Sequence, residues 1–94
     1  MLTADEAITI GCKKYRELYP KGEIPAHVEE NGVLGATPND SFVMVHVTFW
    51  FEGENEPFYL FQASVDRATG NVSVLDSKDW HVLEDKTFDS SQSL

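Results

Sequence analysis

The sequence predicts an α+β domain: an N-terminal helix packed on a roughly four-stranded antiparallel β-meander. Three observations carry this reading. Residues 3–19 place apolar side chains at helical spacing. Ser41–Glu52 and Phe58–Asp66 are two aromatic-rich runs separated by Gly-Glu-Asn-Glu-Pro, and Asp66-Arg-Ala-Thr-Gly-Asn-Val72 is a tight turn leading into a further strand.

Thr3 with Glu6 three residues later forms a capping-box pattern, in which hydroxyl and carboxylate each satisfy a backbone amide at the helix start. Ala4, Ala7, Ile8, Gly11, Cys12, Tyr15, Leu18 and Tyr19 then fall on one helical face. Small residues occupy its first half and large ones its second, so the helix is expected to approach the sheet closely at Ala4–Cys12 and to wedge aromatics in at its far end. Lys13, Lys14 and Arg16 complement the dipole, and Pro20 and Gly22 end the helix. Ile24, Ala26 and Val28 alternate within Glu23–Glu30 and are read as a short first strand. Asn31-Gly32 is a turn signal, and Gly35–Asp40 reads as a loop.

In the long strand, Val43, Val45, Val47, Phe49 and Phe51 make one apolar face, with Phe42, Met44, His46, Thr48 and Trp50 on the other. The returning strand divides the same way, Tyr59, Phe61, Ala63 and Val65 against Phe58, Leu60, Gln62, Ser64 and Asp66. One helix covers one face of a sheet, which leaves Phe42, Met44, Trp50, Phe58 and Leu60 to be covered by the C-terminal segment, a second copy or a partner. Gly70 suits a positive φ in the next turn, and Val72 and Val74 continue as a strand. Trp80, Val82 and Leu83 are read as a last strand. Residues 1–86 form one domain on this reading, and 87–94 a flexible tail.

Ninety-four residues support one modest core. Sixteen acidic against seven basic residues give a net charge of −9, concentrated after residue 30. Such a surface repels phosphates and anionic lipid, so neither nucleic acid nor a membrane is an expected partner. Cys12 is the sole cysteine, and no basic segment followed by an apolar run opens the chain. A cytoplasmic location is the expectation.

No constellation for catalysis stands out. Cys12 lies on the helical face read as buried, where a thiol is inert. His46 is a general base only if a pocket forms around it. His27 with Glu29 and Asp79 with His81 supply two ligands each, short of a zinc site, and no cofactor or metal is expected. The densest charge cluster is Glu52, Glu54 and Glu56 at the hairpin tip, which is either a solvated turn or an acidic finger for a basic cleft.

Val65-Asp-Arg-Ala-Thr-Gly-Asn-Val72, following a helix and strands, resembles the Val-Asp-x-x-Thr-Gly-x-Val hairpin of small PepSY-like domains. With the Glu6-Ala7 helix it is also similar to short nuclear-transport-factor-like bacterial immunity proteins, over roughly residues 3–76. The resemblance implies a binding module that neutralises another protein. The helix-on-sheet outline looks like a cystatin too. Gln62-Ala-Ser-Val65 nevertheless lacks the spacing and glycine of a cystatin hairpin, and Trp80 follows Asp79 rather than proline.

The expected function is therefore a non-enzymatic protein-binding module of immunity or inhibitor type, directed at a basic partner. Its expected contacts are Met44, His46, Trp50, Glu52, Glu54, Glu56, Phe58 and Leu60. The alternatives are a homodimeric structural domain using the same face, or a cystatin-like peptidase inhibitor.

Overall fold

The Thr3 hydroxyl accepts the Glu6 amide at 3.1 Å and the Glu6 carboxylate accepts the Thr3 amide at 3.0 Å, so the capping box forms as its sequence predicts. These hydrogen bonds to Thr3 hold the Glu6 carboxyl below its usual range. The computed structural model describes residues 1–89. Helix α1 (Ala4–Leu18) is followed by a one-turn helix α2 (Ala26–Glu29). Strands β1 (Val33–Pro38), β2 (Phe42–Phe49), β3 (Phe58–Asp66) and β4 (Val72–Ser77) come next, then a 3₁₀ turn at Trp80–Leu83. The strands form one antiparallel sheet in the order β1-β2-β3-β4.

Helix α1 lies across β2 and β3 as its residue sizes dictate. Ala7 and Gly11 are buried, and a Cβ added at Gly11 would sit 2.7 Å from a Val45 methyl. One turn further on, the rings of Tyr15 and Tyr19 pack edge-on to Phe61 at 5.4 and 6.4 Å. Burial raises the Tyr15 phenol to about 12 against the opposing charge of Arg16. Tyr15, Tyr19, Val47, Phe49, Leu60 and Phe61 gather with Ile24, Val28, Trp80 and Leu83 into one buried cluster. A second, of Ala7, Val43, Val45 and Val65, lies under the start of the helix. Each fully buried large apolar side chain contributes about 1.5–3 kcal/mol.

Three local readings are corrected. Glu23–Glu30 is not a strand: Val28 is buried within α2 and Ile24 is buried just ahead of Pro25, the residue that caps the helix start. A spacing of four suits both a helix turn and two strand repeats, and Pro25, which has no amide to give a sheet ladder, favours the helix start. Of the segment read as a loop, Gly35–Pro38 belongs to β1 instead. Its hairpin to β2 is made by the Asn39 carboxamide oxygen, which accepts the Ser41 and Phe42 amides at 2.8 and 2.9 Å. Trp80–Leu83 is a helical turn, capped by the Asp79 side chain accepting the His81 amide at 3.0 Å. It buries Trp80 and Leu83 and leaves Val82 outside.

The β3–β4 turn forms as read. Gly70 has φ +78°, and the Asp66 carboxylate accepts the Ala68 and Thr69 amides. Arg67 reaches back from this turn, donating to the carbonyls of Leu2 at 2.9 Å and Asn39 at 2.8 Å. It thereby ties the helix entry, the β1–β2 turn and the β3–β4 turn together.

Candidate functional site

A one-residue bulge in β3 rearranges the surface expected to bind a partner. Val47 pairs with Phe61 but Thr48 pairs with Tyr59, so Leu60 is the extra residue. Paired residues share a face. Tyr59 therefore joins Thr48 on the outer face, while Phe58 joins Phe49 on the helix side and packs partly against the core. Leu60 is fully buried beside Tyr19, Trp80 and Leu83. The expected five-residue apolar patch thus loses Leu60 and Phe58. The 3₁₀ turn does not cover the outer face either, since Trp80 and Leu83 share the helix-side cluster.

The outer face carries Phe42, Met44, His46, Thr48 and Tyr59, beside the polar Gln62, Ser64 and Asp66 of β3. The His46 imidazole lies over Gly35 of β1, where an added Cβ would come within 2.2 Å of the ring, and meets the Tyr59 ring edge-on at 5.7 Å. Its Nδ1 is buried without a hydrogen-bond partner among the described residues. Backbone of the neighbouring strand fills the space beside the ring.

The acidic hairpin does come together with aromatics. After Phe49 the chain runs through Trp50–Pro57, turning at Gly53 with φ +83°, and enters β3. Phe51, Pro57 and Phe58 line a shallow groove of about 300 Å³, with Glu54, Glu56 and Lys86 on its walls. The Phe51 and Phe58 rings are 5.6 Å apart and tilted by 34°. Two of the protein's own ammonium groups already stand over these rings: Lys86 is 5.5 Å from the Phe51 centroid and Lys78 is 5.4 Å from that of Phe58. Glu52 is exposed beside the groove, and Trp50 is half-buried one residue before Phe51. Of the eight expected contact residues, the fold brings Glu54, Glu56 and Phe58 to the groove, with Trp50 and Glu52 next to it. Met44 and His46 lie further along the sheet, and Leu60 lies inside.

Sequence reasoning missed Phe51, Pro57 and Lys86. Phe51 does pack against the helix-side core, as the odd-numbered apolar face predicts, but it lies beyond the end of β2 at Phe49 and so also lines the groove. Lys86 arrives from the C-terminal segment. There Phe51 and Phe88 form an isolated antiparallel bridge, the Glu52 amide donates to the Thr87 carbonyl at 2.8 Å, and the Asp89 amide donates to the Trp50 carbonyl at 2.9 Å. Thr87–Asp89, read as the start of a free tail, are therefore tied to the hairpin. Residues 90–94 of that expected tail lie outside the described residues.

A second cavity, of about 200 Å³, lies between α1, α2 and β1, lined by Cys12, Tyr15, Arg16, Glu29, Gly32, Leu34 and Val47. Cys12 is half-buried at this cavity rather than enclosed in the core, and burial raises its thiol, with Arg16 opposing. A raised thiol stays protonated near neutrality, which disfavours nucleophilic chemistry. Arg16 forms an ion pair with Glu29 across the cavity mouth. His46 lines neither cavity.

Asp79 and His81 meet at 2.5 Å, but among the described residues no three His, Cys, Asp or Glu side chains converge as a metal site would require. No helix among the described residues is long and apolar enough to cross a membrane. Comparison with protein-family models, with curated proteins and with solved structures finds no match to this chain.

Proposed function

We propose that this domain is a non-enzymatic protein-binding module, of inhibitor or immunity type, that receives a basic segment of its partner at the β2–β3 hairpin. The observation that carries the reading is the hairpin groove, whose lining brings Phe51 and Phe58 together with Glu54 and Glu56. Aromatic faces attract an ammonium or guanidinium group, and adjacent carboxylates neutralise it. Each contribution is about 0.5–1 kcal/mol at an exposed site, so a short cationic peptide binds weakly and a folded basic surface binds better. The net charge of −9 steers such a partner in and keeps acidic ones away.

The test is an amide NMR titration of the ¹⁵N-labelled protein with a peptide carrying lysines around one phenylalanine, and with its glutamate counterpart. Shifts confined to residues 50–58 and 86–88 with the basic peptide alone, reduced by added salt, are expected. Glu54→Lys with Glu56→Lys abolishes them while the fold persists. Absence of shifts at millimolar peptide, or equal shifts with the acidic peptide, overturns the reading.

A further inference from the structure

One wall of the groove, Lys86, belongs to a C-terminal segment that pairs along the edge of Trp50–Glu52, beside the groove. Pairing between β1 and β2 ends at Val33 and Thr48. Beyond that point Trp50–Glu52 pairs instead with Thr87–Asp89, through the two backbone hydrogen bonds that make the Phe51–Phe88 bridge. The Phe88 ring packs 5.8 Å from Phe49 and 5.9 Å from Phe51, and Lys86 places its ammonium over Phe51. These are the contacts of a peptide added to a strand edge: backbone pairing for affinity, alternate side chains for specificity.

We infer that Lys86-Thr87-Phe88 is an internal occupant of the partner's site, displaced by an extended segment that carries a cation and, two residues later, an aromatic ring. The inference rests on the proposed basic-segment reading and adds both the recognition pattern and a competing self-contact. The internal segment is a poor electrostatic match for its seat. Its one cation follows Glu84 and Asp85 in the chain and meets a hairpin that bears Glu52, Glu54 and Glu56. A partner with basic residues flanking the same pattern makes the same ring and backbone contacts without that repulsion. A single bridge of two hydrogen bonds also makes a short contact that opens without unfolding the sheet.

The experiment titrates the full chain with the peptide acetyl-Arg-Lys-Thr-Phe-Arg-amide, using wild type, Lys86→Ala/Phe88→Ala and, as a second variant that keeps the Phe88 ring, Asp89→Pro. Glu52 amide exchange is measured in each protein without peptide. Both variants are expected to bind about tenfold tighter than wild type, as for a site occupied by its own segment about nine-tenths of the time. Faster Glu52 exchange in both is expected, and the Phe88 ring resonances of wild type should move to solvent-like positions as peptide is added. Binding of equal strength to all three proteins, with Phe88 unmoved, overturns the internal-occupant inference and leaves the basic-segment reading standing. No binding to any of them overturns both. If one variant loses its dispersed spectrum, the other variant and the wild-type Phe88 shifts decide.

Discussion

The Tyr19 hydroxyl lies 2.6 Å from the carbonyl oxygen of Lys78, joining the residue that ends α1 to the residue that follows β4. The same hydroxyl is 2.9 Å from the Ser77 hydroxyl and 3.1 Å from the Leu60 carbonyl, so one phenol spans β3 and β4. Burial raises its pKa, with the Ser77 hydrogen bond opposing. Tyr19→Phe keeps the ring and removes this junction. A loss of about 1–2 kcal/mol is expected in urea unfolding, and a variant as stable as wild type would mean that the hydroxyl is hydrated in solution.

Gly11 is a point of close approach between helix and sheet. Alanine there gains up to about 1 kcal/mol of helix propensity, but its methyl collides with Val45 on β2, a framework position. Overpacking of this kind costs about 1–3 kcal/mol, so Gly11→Ala is expected to lower the melting temperature. Combination with Val45→Ala should be less damaging than the sum of the single changes, and strict additivity would place the contact elsewhere.

The bulge makes adjacent residues of β3 unequal. Leu60→Ala is expected to cost about 2–5 kcal/mol, as for any deep core leucine. Tyr59→Ala, which removes a ring from the outer face, is expected to cost less than about 1 kcal/mol. Equal costs would indicate an unbulged strand in solution.

His81 is paired with Asp79, and that hydrogen bond raises its imidazole above the ordinary 6.5, with the charges of Asp79, Glu84 and Glu23 adding to it. The Asp79 carboxyl is correspondingly lowered, first by its hydrogen bonds from His81. The histidine's contribution is complete below its ordinary pKa and is lost as the pH rises through the folded value. That of the aspartate is complete above its ordinary pKa and is lost as the pH falls through the folded value. The contact is therefore strongest in the acidic window between them. An NMR titration should place the His81 midpoint above that of an unstructured histidine, and Asp79→Asn should return it. A midpoint unchanged by that substitution would show that another group sets it.

The architecture was legible where one periodicity ran without competition. The capping box, the graded sizes along α1 and the Asp66–Asn71 turn all specify their geometry locally, and each forms. Readings failed where one spacing served two structures, as for Ile24 and Val28, or where a single residue redirects a strand. Nothing in Tyr59-Leu60-Phe61 marks a bulge. It arises from a register choice that lets Leu60 meet Trp80 and Leu83, which are far away in sequence. The β1–β2 hairpin had a visible signal, Asn39 three residues before Phe42, masked by the lack of alternation in β1. At the candidate site the acidic residues were legible as a cluster. Their aromatic lining was not, because it depends on where β2 ends and on what residues 86–88 lie against.

Arg67 has a consequence for how the molecule presents itself. By holding the Leu2 carbonyl beside the β1–β2 and β3–β4 turns, it anchors the beginning of the chain at one end of the sheet. The groove is at the other end, about 26 Å away along an eight-residue strand. Anything joined ahead of Leu2, whether a tag, a neighbouring module or a solid support, leaves from the pole opposite the hairpin. Attachment there keeps the acidic tip facing outward, and an N-terminal fusion is the natural way to display it.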